Sequence, residues 1–296
     1  MAAFTLTHLS DPHLPPLPVP RLRDLAGKRA FGYLNWTRNR KKFHRRDVLD
    51  ELVSDMQAQG PDHIAITGDL VNLALEAEFA PARRWLESVG TPDRVTVIPG
   101  NHDAYVRMTR HRFGEAWADY LGSDEARDGG ATFPLLRRRG PLALISVSTA
   151  VPTPPLMATG WLGRDQLDAL ERVLAGLSAE RAFRVLLIHH PLRSDSWTKR
   201  LTDSFELRAL LKDHGVELIL HGHDHVHSTI WIDGPNGSIP AIGVPSASAV
   251  AHGRYPAAAY NLFSIERDGA AWRCEQTVRG VDDTLRVKEL RQVRLM

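Results

Sequence analysis

Residues 4–14 read FTLTHLSDPHL, and the two halves of this stretch follow different rules. Phe4 and Leu6 alternate with Thr5 and Thr7, the two-residue period of a β-strand. Ser10-Asp11-Pro12-His13 then places a carboxylate and an imidazole where a strand would ordinarily give way to turn residues. The same event recurs down the chain. HIAITGDLV (63–71) runs into Gly68-Asp69, and VTVIPGNHD (95–103) runs into Gly100-Asn101-His102-Asp103. VLLIHHP (185–191) ends in His189-His190-Pro191, and LILHGHDH (218–225) ends in Gly222-His223-Asp224-His225.

Leu142 to Val147 adds another strand-like run, and helix-period segments at 45–59, 74–89, 164–175 and 205–214 fall between the strands. Alternating strands and helices predict an α/β protein with parallel or mixed sheet. The last quarter differs: 228–233, a turn at Gly234-Pro235-Asn236-Gly237, 239–244, 260–267 and 272–278 predict consecutive antiparallel strands. No fixed-period repeat or low-complexity linker divides residues 1–296, so a single domain is expected.

Composition narrows the class. The 296 residues are 43% hydrophobic and 24% charged, which excludes a disordered or fibrous chain. No stretch approaches the roughly 18–20 apolar residues of a membrane span. The strand pattern at Phe4 leaves no room for a secretory signal, so a cytoplasmic location is expected. One cysteine, Cys274, excludes a disulfide framework and a thiolate metal cluster. The net charge of +2 conceals a segment, Arg21 to Arg46, with ten Lys or Arg against one acid, Asp24. Such a patch attracts anionic partners.

In open α/β folds ligands gather at the carboxyl ends of strands. Taken singly, an Asp-Pro or His-Pro is turn chemistry, and each glycine here could be an ordinary turn residue. Five strand ends carrying ligand types are a different matter. Asp11 and His13 are two residues apart, as are His223 and His225, a spacing that on an extended backbone shares one face. With Asp69, Asn101 and His189 they make seven candidate metal ligands of carboxylate, amide and imidazole type, suited to manganese, iron, zinc, nickel or cobalt. Seven are too many for one tetrahedral ion and suit two ions sharing a carboxylate.

The ordered series D-x-H (Asp11, His13), G-D (Gly68, Asp69), G-N-H-D (Gly100 to Asp103), H-x-P (His189, Pro191) and G-H-x-H (Gly222 to His225) resembles the calcineurin-like metallophosphoesterase superfamily over about three-quarters of the chain. The resemblance implies a four-layer αββα sandwich of two mixed sheets with a dinuclear site along one edge. It implies that Asp11, His13 and His225 hold one metal and Asn101, His189 and His223 the other, with Asp69 bridging. It also implies that His102 is a non-ligand catalytic histidine facing the phosphate. By the family spacing, His189 rather than His190 is the ligand. The implied reaction is phosphoester hydrolysis by a metal-bound hydroxide.

One string departs from the phosphoprotein phosphatases, whose G-D-x-V-D-R-G supplies an aspartate to the histidine. Residues 68–73 read GDLVNL, so Asn72 offers no charge and the R-G continuation is missing. This form resembles the bacterial phosphodiesterases that cleave cyclic nucleotides or glycerophosphodiesters. Residues 14–46 are an insert after D-x-H, with four prolines followed by aromatics among basic residues. They are expected to form a lid or flap for a small anionic phosphoester, with Tyr33, Trp36, Arg38 and Arg40 as candidate substrate contacts, or else a helix packed on the body. Basic and aromatic residues together also suit a lipid-linked phosphate at a membrane surface, so a UDP-2,3-diacylglucosamine-type pyrophosphatase is the rival enzyme. Duplex nucleic acid is not expected from one basic segment. A non-catalytic interaction protein is the rival from another class. Arg137 to Arg139 read as a solvated hairpin turn, and His190, His221 and His227 as supporting or surface residues.

Overall fold

Alternation along the strands sets the layering. In Leu142–Ser146, Phe183–Leu187 and Leu218–His221, the residues Leu142, Leu144, Val185, Leu187, Leu218 and Leu220 point into one apolar layer. Their neighbours Ala143, Ile145, Leu186 and Ile219 point into another. Strands apolar on both faces must be covered on both faces. The computed structural model describes residues 3–124, 132–269 and 271–296 and shows that arrangement.

The first sheet has the order β12-β11-β10-β1-β2-β3, from β1 (Phe4–Leu9), β2 (His63–Ile66), β3 (Val95–Val97), β10 (Ala259–Asp268), β11 (Ala271–Val281) and β12 (Val287–Arg294). The second has the order β4-β5-β6-β7-β9-β8, from β4 (Leu135–Arg139), β5 (Leu142–Ser146), β6 (Phe183–Leu187), β7 (Leu218–His221), β8 (Ser228–Gly234) and β9 (Gly237–Gly243). Both are mixed. β1, β2 and β3 are parallel while β10 meets β1 antiparallel, and β5, β6, β7 and β9 are parallel with antiparallel β4 and β8 at the edges.

Helices cover the outer faces. After α1 (Lys28–Arg38), the helices α2 (Arg46–Ala58) and α3 (Glu76–Val89) lay Leu49, Leu52, Met56, Phe79, Trp85 and Leu86 on the first sheet. Short helices α4 (Arg112–Ala116) and α5 (Ala118–Leu121) follow, and α6 (Arg164–Leu177) and α7 (Ser204–His214) lay Leu170, Leu174, Leu207 and Leu211 on the second sheet. The result is the four-layer αββα sandwich. Among the described residues no helix is long and apolar enough to cross a membrane.

Two expectations need correction. The tail strands are not one antiparallel run: β8 and β9 join the second sheet, where β9 lies parallel to β7, whereas β10 to β12 join the first. Alternation specifies a strand and its faces but not its partner. β12 carries almost wholly exposed side chains on a sheet edge, so it has no apolar period to read.

Arg137 is the second correction. Gly140-Pro141 is the hairpin turn, and Arg137 lies within β4, buried. Its guanidinium donates to the carbonyls of Gly122 (2.8 Å), Pro92 (2.8 Å), Val95 (2.8 Å) and Asp119 (2.7 Å), tying β4 to the edge of the other sheet. Arg137→Ala leaves buried acceptors without donors, and we expect it to lower stability by about 2–4 kcal/mol. A urea midpoint that falls with an unchanged slope confirms this, and an unmoved midpoint removes the guanidinium from the scaffold.

Candidate metal centre

Every loop that carries a selected ligand leaves the carboxyl end of a strand on the same edge of the sandwich. β1, β2 and β3 deliver Asp11, His13, Asp69, Asn101 and His102, and β6 and β7 deliver His189, His223 and His225. The loop after β1 is zipped to the loop after β2 by Asp11 N–H to Gly68 O (2.9 Å), His13 N–H to Asp69 O (3.0 Å) and Leu14 N–H to Leu70 O (2.9 Å). Asp11, His13, Asp69, His223 and His225 all have positive φ, between 38° and 72°. The extended backbone expected for the two paired spacings is therefore absent. Left-handed turns aim these side chains instead, a conformation that costs a non-glycine residue roughly 1–3 kcal/mol and concentrates at functional sites. Close approach also decides two glycines. A Cβ at Gly100 would strike the Asp69 carboxylate, and one at Gly222 would strike Ser10 Oγ and Asp11 Oδ2.

Buried Asp69 sits at the centre. Its Oδ1 accepts the His102 N–H (2.7 Å), while Oδ2 lies 3.4 Å from His189 Nε2 and 3.8 Å from His13 Nε2. On one side, Asp11 Oδ1, His13 Nε2 and His225 Nε2 converge, with 3.1 Å between Asp11 and His225 and 3.2 Å between the two imidazole nitrogens. On the other, His189 Nε2 lies 3.2 Å from Asn101 Oδ1, and the His189 and His223 rings are 5.2 Å apart. His189 Nδ1–H donates to Thr67 O (2.6 Å), which leaves Nε2 turned inward. Buried His223 Nε2 has no hydrogen-bond partner. Imidazole nitrogens crowded together and one left without a partner make a donor set that a cation satisfies.

Electrostatics agree. Burial disfavours charge on Asp11, yet His225 holds its carboxyl well below the usual range. Burial likewise opposes a charged His189, but Asp69, Asp11 and the Thr67 carbonyl together outweigh it and push this pKa up to about 10. The cluster thus calls for positive charge at the position His189 Nε2 faces.

Supporting carboxylates hold the loops. Asp103 accepts the N–H groups of Asp69 (2.8 Å), Gly100 (2.8 Å) and Val71 (3.1 Å). Glu78, at the start of α3, accepts those of Asn72 (2.6 Å), Leu73 (3.0 Å) and Leu75 (2.9 Å). Glu78 carried no signal in the sequence beyond its place in the first turn of a helix.

His102 Nδ1 bonds to the Asn72 main-chain carbonyl, so the Asn72 side chain, which donates to Leu14 O (3.2 Å), is not its partner. Burial, opposed by Asp69 and reinforced by Arg40, brings the His102 pKa down to about 4, and the ring is neutral at pH 7. His190 is bonded to Thr149 Oγ1 (2.7 Å) and Ala158 O (3.1 Å), and His221 to Gly222 O (3.2 Å).

A cavity of about 720 Å³ opens over the cluster. From the insert, Lys28, Phe31, Trp36, Arg40 and Phe43 line it, whereas Tyr33 packs on the outer core and Arg38 is exposed. Ser246 and Ser248 from the 244–248 segment back it: Ser246 Oγ donates to Asp11 O (2.6 Å), and Ser248 Oγ bonds His44 Nδ1 (2.9 Å).

The family model described as calcineurin-like phosphoesterase matches residues 4–227. A probable cyclic nucleotide phosphodiesterase from Synechococcus sp. is 26% identical over 226 residues, covering 75% of this chain and 78% of that protein. A dimetal phosphatase from Danio rerio superposes with a TM-score of 0.61 at 14% identity, covering 100% of both chains. A purple acid phosphatase from yellow lupin seeds superposes with a TM-score of 0.63 at 11% identity, covering 99% of this chain and 53% of that one. The fold, its cluster of carboxylates and imidazoles, and the family match agree: the chain belongs to the calcineurin-like phosphoesterases, metal-dependent hydrolases of phosphoric esters that work with two divalent ions.

Proposed function

We propose that the protein is a phosphodiesterase acting on a small phosphodiester, of the cyclic-nucleotide or glycerophosphodiester class, in the cytoplasm. The observation that carries the metal chemistry is Asp69 Oδ2, placed 3.4 Å from His189 Nε2 and 3.8 Å from His13 Nε2. On this reading Asp69 joins two ligand sets, Asp11, His13 and His225 on one side and Asn101, His189 and His223 on the other. Two divalent ions, when bound, polarise the phosphoryl oxygens and lower the pKa of water so that a nucleophile exists near neutral pH. The protein orients the ester. His102 lines the cavity that would receive the phosphoryl group, and Trp36 and Phe43 offer flat apolar surface to the organic part. The diester preference is supported by the GDLVN form of the second motif and by the Synechococcus relative.

The test is hydrolysis of bis(p-nitrophenyl) phosphate against p-nitrophenyl phosphate with manganese. We expect the diester to be turned over faster, chelator to abolish both activities, and manganese to restore them. Asp69→Ala removes the shared carboxylate, and losing several kcal/mol of charge stabilisation lowers kcat/KM by about 10³-fold or more. A faster monoester reaction assigns the chain to phosphomonoesters, and full activity of Asp69→Ala refutes the bridging role.

A second reading, a lipid-linked pyrophosphate as substrate, draws on the cavity mouth. Phe31 and Leu156 line it while 57% and 87% exposed, beside an insert rich in arginine and lysine. Apolar residues ringed by basic ones suit an anionic membrane surface. This reading predicts co-sedimentation with phosphatidylglycerol vesicles but not with phosphatidylcholine vesicles, weakened by salt and by Phe31→Ser. Equal recovery with both vesicle types, or with neither, eliminates it.

A further inference from the structure

Arg40, Lys41 and Lys42 are consecutive cations, and only the first turns inward. Lys41 and Lys42 are exposed, while the Arg40 side chain lines the same cavity as Asp69, Asn101 and His223. Among the described residues Arg40 makes no ion pair, and its Nη1 lies 3.3 Å from His102 Nε2. The Asn72 carbonyl can only accept and a guanidinium can only donate. His102 therefore carries its proton on Nδ1 and receives the Arg40 N–H at Nε2. The ring thus has no proton facing the cavity, and the positive group in contact with it is the Arg40 guanidinium.

The turn that carries Arg40 is firmly seated. Its carbonyl accepts the N–H groups of Phe43 (3.0 Å) and His44 (3.0 Å), Val250 N–H donates to Phe43 O (2.9 Å), and Arg45 N–H donates to Ser248 O (2.8 Å). Phe43 stacks on His252 with ring centres 3.8 Å apart. Burial disfavours charge on the Arg40 guanidinium, the Asp69 carboxylate opposes this without reaching ion-pair distance, and an anion in the cavity would give it charge-assisted hydrogen bonds. Its planar fork matches two oxygens of one phosphoryl group. The second motif supplies no arginine for this purpose, since Asn72 is followed by Leu73 and Ala74.

We propose that Arg40 is a catalytic residue that grips the phosphoryl oxygens and supplies the positive charge there, with His102 as the positioning residue that aims it. The proposal rests on the phosphoesterase reading and adds to it the source of that charge. Arg40 transfers no proton.

The test compares Arg40→Ala, Arg40→Lys, His102→Ala and the double variant in manganese-loaded protein, with Lys41→Ala as the control. Arg40→Ala is expected to lower kcat/KM for bis(p-nitrophenyl) phosphate by ~10²–10³-fold, the effect of removing one preorganised donor. The metal content should stay unchanged. Arg40→Lys should recover part of the loss, and added guanidinium should restore Arg40→Ala at least about tenfold without helping the wild type. The double variant should lose little more than Arg40→Ala, because the two residues act as a unit. Independently of turnover, calorimetry with inorganic phosphate should show about tenfold weaker binding to Arg40→Ala. Retained activity, phosphate binding equal to wild type, or no rescue by guanidinium overturns the assignment. Fully multiplicative losses overturn the positioning role of His102. If wild-type protein hydrolyses neither ester, the phosphoesterase reading fails, and the phosphate titration still decides the role of Arg40.

Discussion

Asp69 is a carboxylate taken out of water between two sheets, and the rest of the site is arranged around that fact. A buried charge must be paired or bound, and here it is met by a backbone N–H on one oxygen and by imidazoles from both sheets on the other. His13 arrives from the first sheet and His189 from the second. The apolar layer that joins the sheets, with Leu6, Ile98, Phe183, Leu187, Leu220 and Phe263, therefore also sets the spacing between the candidate ligands that the two sheets contribute. A shift of one sheet over the other would separate His189 from Asp69 without touching either residue.

Holding that geometry is costly, and the cost is visible in the backbone. Five site residues occupy left-handed conformations that side chains disfavour. Two carboxylates outside the candidate ligand set hold these loops. Asp103 ties the loops after β2 and β3 together through three N–H groups, and Glu78 does the same for residues 72–75. Because Glu78 fixes the Asn72 main chain, it also fixes the carbonyl that receives His102. His102 is held by the main-chain carbonyl of residue 72 and not by its side chain, so its orientation here does not depend on a carboxylate at that position.

The strands and the long helices were readable because period and burial coincide in them, as at Leu142 to Ser146 and Arg164 to Leu177. The seven ligand candidates were readable because each follows such a strand. What failed to show were features that depend on long-range partners. β12 has no apolar face, β9 runs beside β7 rather than within one antiparallel series, and Arg137 is buried only because distant carbonyls surround it. The left-handed turns were hidden for another reason. The Asp11 and His13 spacing reads as extended, and the carbonyls of Gly68 and Asp69 that hold the segment turned come from a distant loop. The insert illustrates both limits. Its basic and aromatic content was plain, but which side chains face the cavity is decided by α1, which buries Arg29 and Trp36 and leaves Arg38 in solvent.

That helix is bound to both halves of the molecule. Arg29 donates to Leu73 O (3.0 Å) and to Ala74 O beside the first sheet, while Lys28 Nζ reaches Thr153 Oγ1 (2.6 Å) and Met157 O (3.1 Å) beside the second. It therefore spans the seam above the candidate metal ligands and is braced on each side. The loops that carry the candidate ligands are constrained by left-handed turns and close glycine contacts. An insert braced in this way places apolar side chains and the Arg40 guanidinium in the lining of the cavity without disturbing the donors below. On the proposed reading the cluster below sets the reaction, and residues 28–43, which line the cavity above it, set what is admitted.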